Sequence, residues 1–492
     1  MLQFRSRPVV FRRIEIEQQE RERIMKLHFL GANRQVTGSR YCLEVNGLKI
    51  MVDCGMFQER PLLSRNWEPC PIPVSEIDAL VLTHVHIDHS GMIPRLVQEG
   101  FRGPIYCTRP SVELAEIILR DSAKIQSEDV RYKRRRHEKE GRRVKHPVVP
   151  LYTEEAVSQT IPLMQGVPYG KPIQLGESLS ATFHEAGHIL GSAMIEFHAA
   201  TANGKSTILF SGDIGQWDKP IIRDPTLFEH ADYVVMESTY GDRDHPDSGD
   251  IQSQLERAIN DTAARGGNVV IPTFAIERAQ EVIYYIGRLA HARRIPQLDV
   301  FLDSPMAIDV MEVFRHYREC FDKETWEQIV AKEPPLQFPG LKMARSTKES
   351  KAINEHAKPC VIMSTSGMCT AGRIKHHLRK NIGRQASTIL FVGYQAHGTL
   401  GRQILMGDPI VRIHGRQWKV KADIQRIDGF SGHADHGALL QWVGNLKNAP
   451  KHIFLTHGEQ QASDRLAETV RTQFGWSVSI PEYLESVDLE PL

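Results

Sequence analysis

Thr83-His-Val-His-Ile-Asp-His-Ser-Gly91, THVHIDHSG, follows directly on the apolar run DALVL (residues 78–82). His84, His86, Asp88 and His89 thus crowd one short loop after a strand-like segment. In extended backbone, residues two apart point the same way, so His84 and His86 can reach one ion while Asp88 and His89 turn toward a second. A lone histidine at a strand end is usually structural, but four donors in this register are the pattern of a two-metal site. Imidazole and carboxylate donors without cysteine favour zinc, and manganese or iron would also accept them.

Outward from this loop the chain alternates strand and helix signals. RYCLEV and LKIMVD flank Asn46-Gly47, a pair suited to the positive φ angles of a tight hairpin turn, and Asp53 sits where the second strand ends. The runs DALVL, TILF, YVVM and HIFL each stop at a metal-capable or acidic group, namely His84, Asp213, Glu237 and His457, so several strand ends are expected to converge on one edge. SVELAEIILRDSAKIQ and SQLERAINDTAARGG read as helices, the second closed by glycines, and a mixed α/β architecture follows. After residue 240 a second α/β pattern begins (NVVIPTFAIERAQEVIYYIGRLA, DVFLDSPMA, KPCVIMSTSGM, STILFVGY), and near residue 425 candidate site residues resume with His433 and His457. The middle segment therefore reads as an insert.

A chain of 492 residues with 41% apolar content exceeds one ordinary core and predicts two domains. With 61 Lys and Arg against 60 Asp and Glu, the net charge of +1 gives no global pull on a polyanion, so any nucleic-acid affinity has to be local. Seven scattered cysteines with no C-x-x-C pair read as reduced thiols of a cytoplasmic protein, and no apolar run approaches the ~20 residues of a membrane helix. Residues 1–25 are dense in both charge signs and read as an extension. The run RYKRRRHEKEGRRVKH, residues 131–146, is the conspicuous charge cluster; phosphate tracking and a solvated helix face are its two readings.

H-x-H-x-D-H after a strand resembles the defining motif of the metallo-β-lactamase superfamily, and the superfamily's remaining motifs are found in order. EAGHILGSA supplies His188, LFSGDIG supplies Asp213, whose carboxylate the resemblance implies is shared by both metals, and VDCG supplies Asp53 as a supporting acid. ESTYGDR with Glu237, FSGHADH with His433 and LTHGEQ with His457 are similar to the three further motifs of the β-CASP nucleases, and DSPMA, TSGM and GTLGR to segments of that family's inserted domain. The resemblance covers residues 26–492 and points to bacterial and archaeal relatives of the pre-mRNA 3′-end cleavage endonuclease. Gly432 stands where the family pattern has alanine. No N-terminal RNA-binding module or long C-terminal scaffold region is recognised, so a place in a large processing complex is not implied.

The resemblance implies an αββα metallo-β-lactamase sandwich (residues 26–240 and 425–492) interrupted by an α/β β-CASP domain (residues 241–424). It also implies a two-zinc ribonuclease acting on single-stranded RNA, with no membrane partner; a homodimer is compatible. The expected metal ligands are His84, His86, Asp88, His89, His188, Asp213 and His457, with Asp53 supporting them, and Asp88, Glu237 and His433 as catalytic groups. In particular His433, held by Glu237, is expected to act as general acid, and histidine at 457 is the family's mark of RNA over DNA. Ser366, Gly367, Thr399 and Arg402 are candidate phosphate-binding residues, with ordinary turns as the competing reading. Rival readings are a thioester or lactone hydrolase, a DNA nuclease of the same family and a non-catalytic RNA-binding subunit.

Overall fold

Asn46 (φ 52°) and Gly47 (φ 84°) both take the left-handed conformation of a two-residue hairpin turn, and join β2 (Tyr41–Val45) to β3 (Leu48–Val52) in antiparallel register. The hairpin lies within a seven-stranded sheet seen in a computed structural model, which describes residues 25–140, 148–201, 204–246 and 249–490. The charged N-terminal segment up to residue 24 and residues 141–146 of the basic run lie outside the described residues.

This first sheet also holds β1 (Met25–Phe29), β4 (Ala79–Val81), β5 (Ile105–Thr108), β6 (Met164–Val167) and β22 (Ser486–Leu489), in the order β22-β1-β2-β3-β4-β5-β6. A second seven-stranded sheet contains β7 (Ile173–Gly176), β8 (Leu179–Glu185), β9 (Ala193–Thr201), β10 (Gly204–Phe210), β11 (Tyr233–Glu237), β20 (His452–Thr456) and β21 (Val478–Ser479). Its order is β21-β20-β11-β10-β9-β8-β7. The two sheets share one apolar core, because strand alternation aims Leu27, Phe29, Val52 and Val81 of the first at Phe183, Phe197, Phe210 and Phe454 of the second. Phe29 and Phe454 meet at 5.1 Å between ring centres, and Tyr41 and Phe210 at 5.9 Å.

Helices cover the outer faces. The first half of the helix Arg109–Glu140 packs on β5 and β6 through residues such as Leu114, Ala115, Ile118 and Leu119. The helix Gln460–Phe474 lies on β20 and β21 with the stripe Ala462, Leu466, Ala467 and Val470, and ends at Gly475 in the left-handed conformation. The result is the αββα sandwich, a mixed α/β fold.

The chain forms two compact units, one holding residues up to Ile214, Pro225–Arg243 and those from Asp435 onward, the other Gly215–Asp224 and Asp244–Ala434. In the second unit an all-parallel sheet runs β14 (Leu341–Met343), β13 (Asp299–Leu302), β15 (Cys360–Ser364), β12 (Val269–Pro272), β16 (Thr388–Phe391), β19 (Asp423–Arg426), beside a hairpin of β17 (Ile410–Ile413) and β18 (Arg416–Lys419). β12, β13, β15 and β16 are the apolar runs that mark the insert in the sequence. Asp303, fully buried after β13, accepts from His377 Nε2 (2.6 Å), Arg373 Nη1 (2.7 Å) and Ser350 Oγ (2.5 Å), which ties three connections of this unit together. Among the described residues no helix is long and apolar enough to cross a membrane.

Because Phe454 is 2% exposed and joins the two faces of the sandwich core, Phe454→Ala should cost about 3–5 kcal/mol of unfolding free energy, read by denaturant titration.

Candidate metal centre

β10, β11 and β20 run parallel and neighbouring, with Phe210 level with Val235 and Glu237 level with Thr456. Three carboxyl ends therefore stop at one edge and deliver Asp213, Glu237 and His457 together, as the sequence pattern predicts. In the other sheet, β4 ends at Val81 and passes the chain through Leu82 and Thr83 to the loop that carries His84, His86, Asp88 and His89. His188 arrives from the β8–β9 connection, where Ser192 Oγ accepts the backbone N–H groups of His188 (3.1 Å) and Ile189 (3.2 Å), and Thr108 and Ser111 hydroxyls donate to Gly191 O.

The side chains fall into two sets that share Asp213. Asp213 Oδ2 lies 3.4 Å from His84 Nε2 and 3.5 Å from His188 Nε2, and His86 Nδ1 lies 3.1 Å from each of those nitrogens. Metal–ligand bonds of 2.0–2.1 Å in a tetrahedron require ligand atoms about 3.3 Å apart, so these four atoms have the spacing of a zinc-sized ion's corners. Asp213 Oδ1 faces the other set, 3.2 Å from His89 Nε2 and 3.5 Å from His457 Nε2, with Asp88 Oδ2 3.6 Å from His457 Nε2. Glu237 stands beside Asp213 and His457, each offering an atom within 4.8 Å of the others. Five of the seven expected ligands are buried, and His86 and Asp88 are partly so; several acidic groups held away from water in one place suit a cationic occupant.

Neighbouring groups set the histidine tautomers. Thr83 donates its hydroxyl proton to Asp53 Oδ2 (2.8 Å), so its oxygen is left to accept from His84 Nδ1 (3.2 Å), which keeps the His84 Nε2 lone pair toward Asp213. Asp53 Oδ2 takes Nδ1–H of His89 at 2.7 Å with the same effect on His89 Nε2. Thr239 donates to His457 O (2.9 Å) and accepts from His457 Nδ1 (3.0 Å), leaving His457 Nε2 toward the carboxylates. Thr83 and Thr239 escape sequence reasoning because each is an ordinary hydroxyl within a quoted motif, with no spacing of its own. Asp53 (φ 57°) and His457 (φ 49°) are both held in left-handed backbone, a strain that persists where surrounding structure over-determines it.

Protonation tendencies fit ligand chemistry. Burial, helped by the charge of His89, pushes His84 down to about 3 and keeps it neutral. Burial also works against charge on His89, but Asp213 and Asp53 overrule it and raise that histidine well above the usual range; a cation at the site would take over the role of that proton. Asp88 is held below the ordinary carboxylate range, since bonding to His457 and the neighbouring histidines outweighs its burial.

The remaining predicted residues are placed as follows. Glu237 is 1% exposed, and its carboxylate accepts the backbone N–H of Ile214. His433 belongs to the second unit, where its carbonyl accepts from His245 Nε2 (3.0 Å) and Gln216 Nε2 (3.1 Å). Ser366 Oγ accepts from the backbone of Thr370 (3.1 Å), and Thr399 Oγ1 caps the short helix Leu400–Leu405 by accepting from Arg402 N. Gly367 packs against the Phe274 ring, 3.0 Å from where a Cβ would sit.

Residues 42–215 match a family described as a metallo-β-lactamase superfamily domain, residues 279–404 a Beta-Casp domain, and residues 418–481 a Zn-dependent metallo-hydrolase RNA specificity domain. The chain is 36% identical over 463 residues to Ribonuclease TTHA0252 of Thermus thermophilus, covering 94% of this chain and 100% of that one. It is 30% identical to the Transcription termination factor FttA of Methanocaldococcus jannaschii, over 94% of this chain and 71% of the relative, and 30% identical to that of Methanosarcina mazei, over 98% and 74%. A crystal structure from Enterococcus faecalis V583, described as a protein of unknown function, aligns with a TM-score of 0.55 at 12% identity over 95% of this chain and 100% of that one, a likeness of fold.

Asp53→Asn keeps the shape at this position but offers an N–H where His89 needs an acceptor, which favours the wrong tautomer. Zinc affinity, measured by competition with a chromogenic chelator, should fall about 10–100-fold with little change in far-UV circular dichroism.

Proposed function

This chain belongs to the β-CASP family of the metallo-β-lactamase superfamily, and from that premise we propose that it is a zinc-dependent ribonuclease that hydrolyses phosphodiester bonds of single-stranded RNA at a two-metal centre. The observation that carries the reading is the splitting of Asp213, one oxygen to His84 and His188, the other to His89 and His457. Two ions held there would lower the pKa of bound water from 15.7 toward about 7 and offset charge on the phosphate.

The chain's own groups do the rest. His84, His86, His188 and Asp213 form one proposed ligand set, and Asp88, His89, His457 and Asp213 the other. Asp53, Thr83 and Thr239 hold the imidazoles with the correct nitrogen presented, so little reorganisation is needed when the charged substrate arrives. The departing ribose oxygen needs a proton, and His433 is the proposed donor, with Glu237 as the other proposed catalytic group. Arg402 and the backbone of Gly367 are the proposed phosphate contacts of the second unit, since Ser366 and Thr399 hydroxyls are engaged in their own turns.

RNA is favoured over DNA by histidine at 457. The description of the segment 418–481 as an RNA specificity domain and the name of the Thermus relative support the same choice. A thioester or lactone hydrolase would need neither the inserted unit nor Glu237, His433 and His457.

The test is incubation of zinc-loaded protein with end-labelled single-stranded RNA, duplex RNA, matched DNA and a thioester. Single-stranded RNA should be cut preferentially, His84→Ala should be inactive, and product lengths will separate internal cleavage from 5′-to-3′ trimming. Thioester turnover with intact RNA would overturn the proposal. His433→Ala should slow RNA turnover about 10²–10⁴-fold while zinc content by mass spectrometry stays unchanged; an unaltered rate removes His433 from the mechanism.

A further inference from the structure

The helix Arg109–Glu140 is anchored along only its first half. Its buried residues run from Pro110 to Ala123, and beyond Ala123 no residue of it is buried. The free half carries Arg131, Lys133, Arg134, Arg135 and Arg136, all exposed, with Tyr132, 68% exposed, among them. From Arg131 to Lys139 there are six cations and one carboxylate, Glu138, on a chain whose net charge is +1.

This arrangement works against the helix itself. Arg131 with Arg134 and Arg135, and Lys133 with Arg136, are like-charge neighbours at three- and four-residue spacing, which destabilises a helix. Arg136 pairs with Glu140 at 2.8 Å and Arg134 Nε donates to Val148 O at 2.8 Å. Among the described residues, Arg131, Lys133, Arg134 and Arg135 pair with no carboxylate. Cations near a helix C-terminus gain something from its dipole, but that effect fades beyond the last turn and does not reach Arg131. An external polyanion accounts for the cluster.

We propose that this half-helix is an RNA-binding arm that holds phosphates of the strand outside the cleavage site without reading sequence, with Tyr132 stacking on a base. The proposal rests on the ribonuclease reading for the identity of its ligand. Ser111, near the start of the helix, is bonded to Gly191 in the loop that carries His188, so the arm is fixed to the metal centre at one end. Arg135 stands about 36 Å along the axis from Ser111 at 1.5 Å per residue. At 3.4 Å per nucleotide that is on the order of ten nucleotides, so RNA must be long to engage both. The cations span about 12 Å, room for three or four phosphates. An exposed aromatic between cations is the pairing that binds unpaired strands without sequence preference.

The test uses the full chain with Arg131, Lys133, Arg134, Arg135 and Arg136 all changed to glutamine, and a second variant with the four arginines changed to lysine. Binding of an unstructured RNA of about 25 nucleotides is followed by fluorescence anisotropy across a salt series, in a His84→Ala background so that the RNA is not consumed. The glutamine variant should lose at least about tenfold in affinity at low salt, with the slope of log K against log salt shallower by about 2. The lysine variant should retain both, and Tyr132→Ala should weaken binding several-fold at an unchanged slope. With His84 intact, turnover of a five-nucleotide RNA should be the same in all variants. Unchanged affinity and slope in the glutamine variant, equal loss in the lysine variant, or an equal loss on the short substrate would overturn the arm. Retained RNA binding with lost binding to anionic lipid vesicles would overturn it in favour of a membrane surface. Salt-dependent RNA binding through the arm with no RNA cleavage would instead sink the ribonuclease reading and leave the arm standing.

Discussion

Everything in the first unit is arranged around one buried carboxylate. Asp213 is 2% exposed and places four imidazole nitrogens within 3.5 Å of its two oxygens. Burying an acid without a counter-charge costs several kcal/mol, so the site is stable only if positive charge is supplied from somewhere. Asp213 and Asp53 raise His89 well above the usual histidine range, so positive charge is favoured at this point of the site. The sandwich is the scaffold that makes such a cluster tolerable, because strand ends of its two sheets deliver donors from both sides on short connections.

Much of this arrangement was legible in the residues. The spacing of the loop from His84 to His89 points to two groups of donors, and the structure sets His84 on one oxygen of Asp213 and His89 on the other. The apolar runs ending at Asp213, Glu237 and His457 proved to be β10, β11 and β20, neighbouring parallel strands whose ends coincide. Asn46-Gly47 set a hairpin as its backbone demands. These features are readable because they depend on local periodicity and on backbone conformations that few residues accept.

What escaped depends on distance in the chain. Thr239 lies inside a named motif, but its hydroxyl acquires meaning only when β20 brings His457 next to it, a contact across 218 residues. The ten residues Gly215–Asp224 directly follow a ligand strand yet join the second unit, where Lys219 bonds Glu281 at 3.0 Å and Asp322 N donates to Ile221 O. Nothing in their composition separates them from the strand before. The amphipathic spacing of the helix Arg109–Glu140 stops near Gln126, where its packing fades; helix propensity carries it on to Glu140 against the repulsion of its like charges.

The pairing of β22 with β1 bears on how the molecule comes into being. His28 and Ser486 sit opposite one another although 458 residues separate them. During synthesis at roughly 5–20 residues per second, β1 waits tens of seconds for the neighbour that covers its open edge. His457 is delivered by the same late stretch. An unfinished nascent chain therefore has an exposed, pairing-competent strand edge and an incomplete set of donors until its last strands emerge.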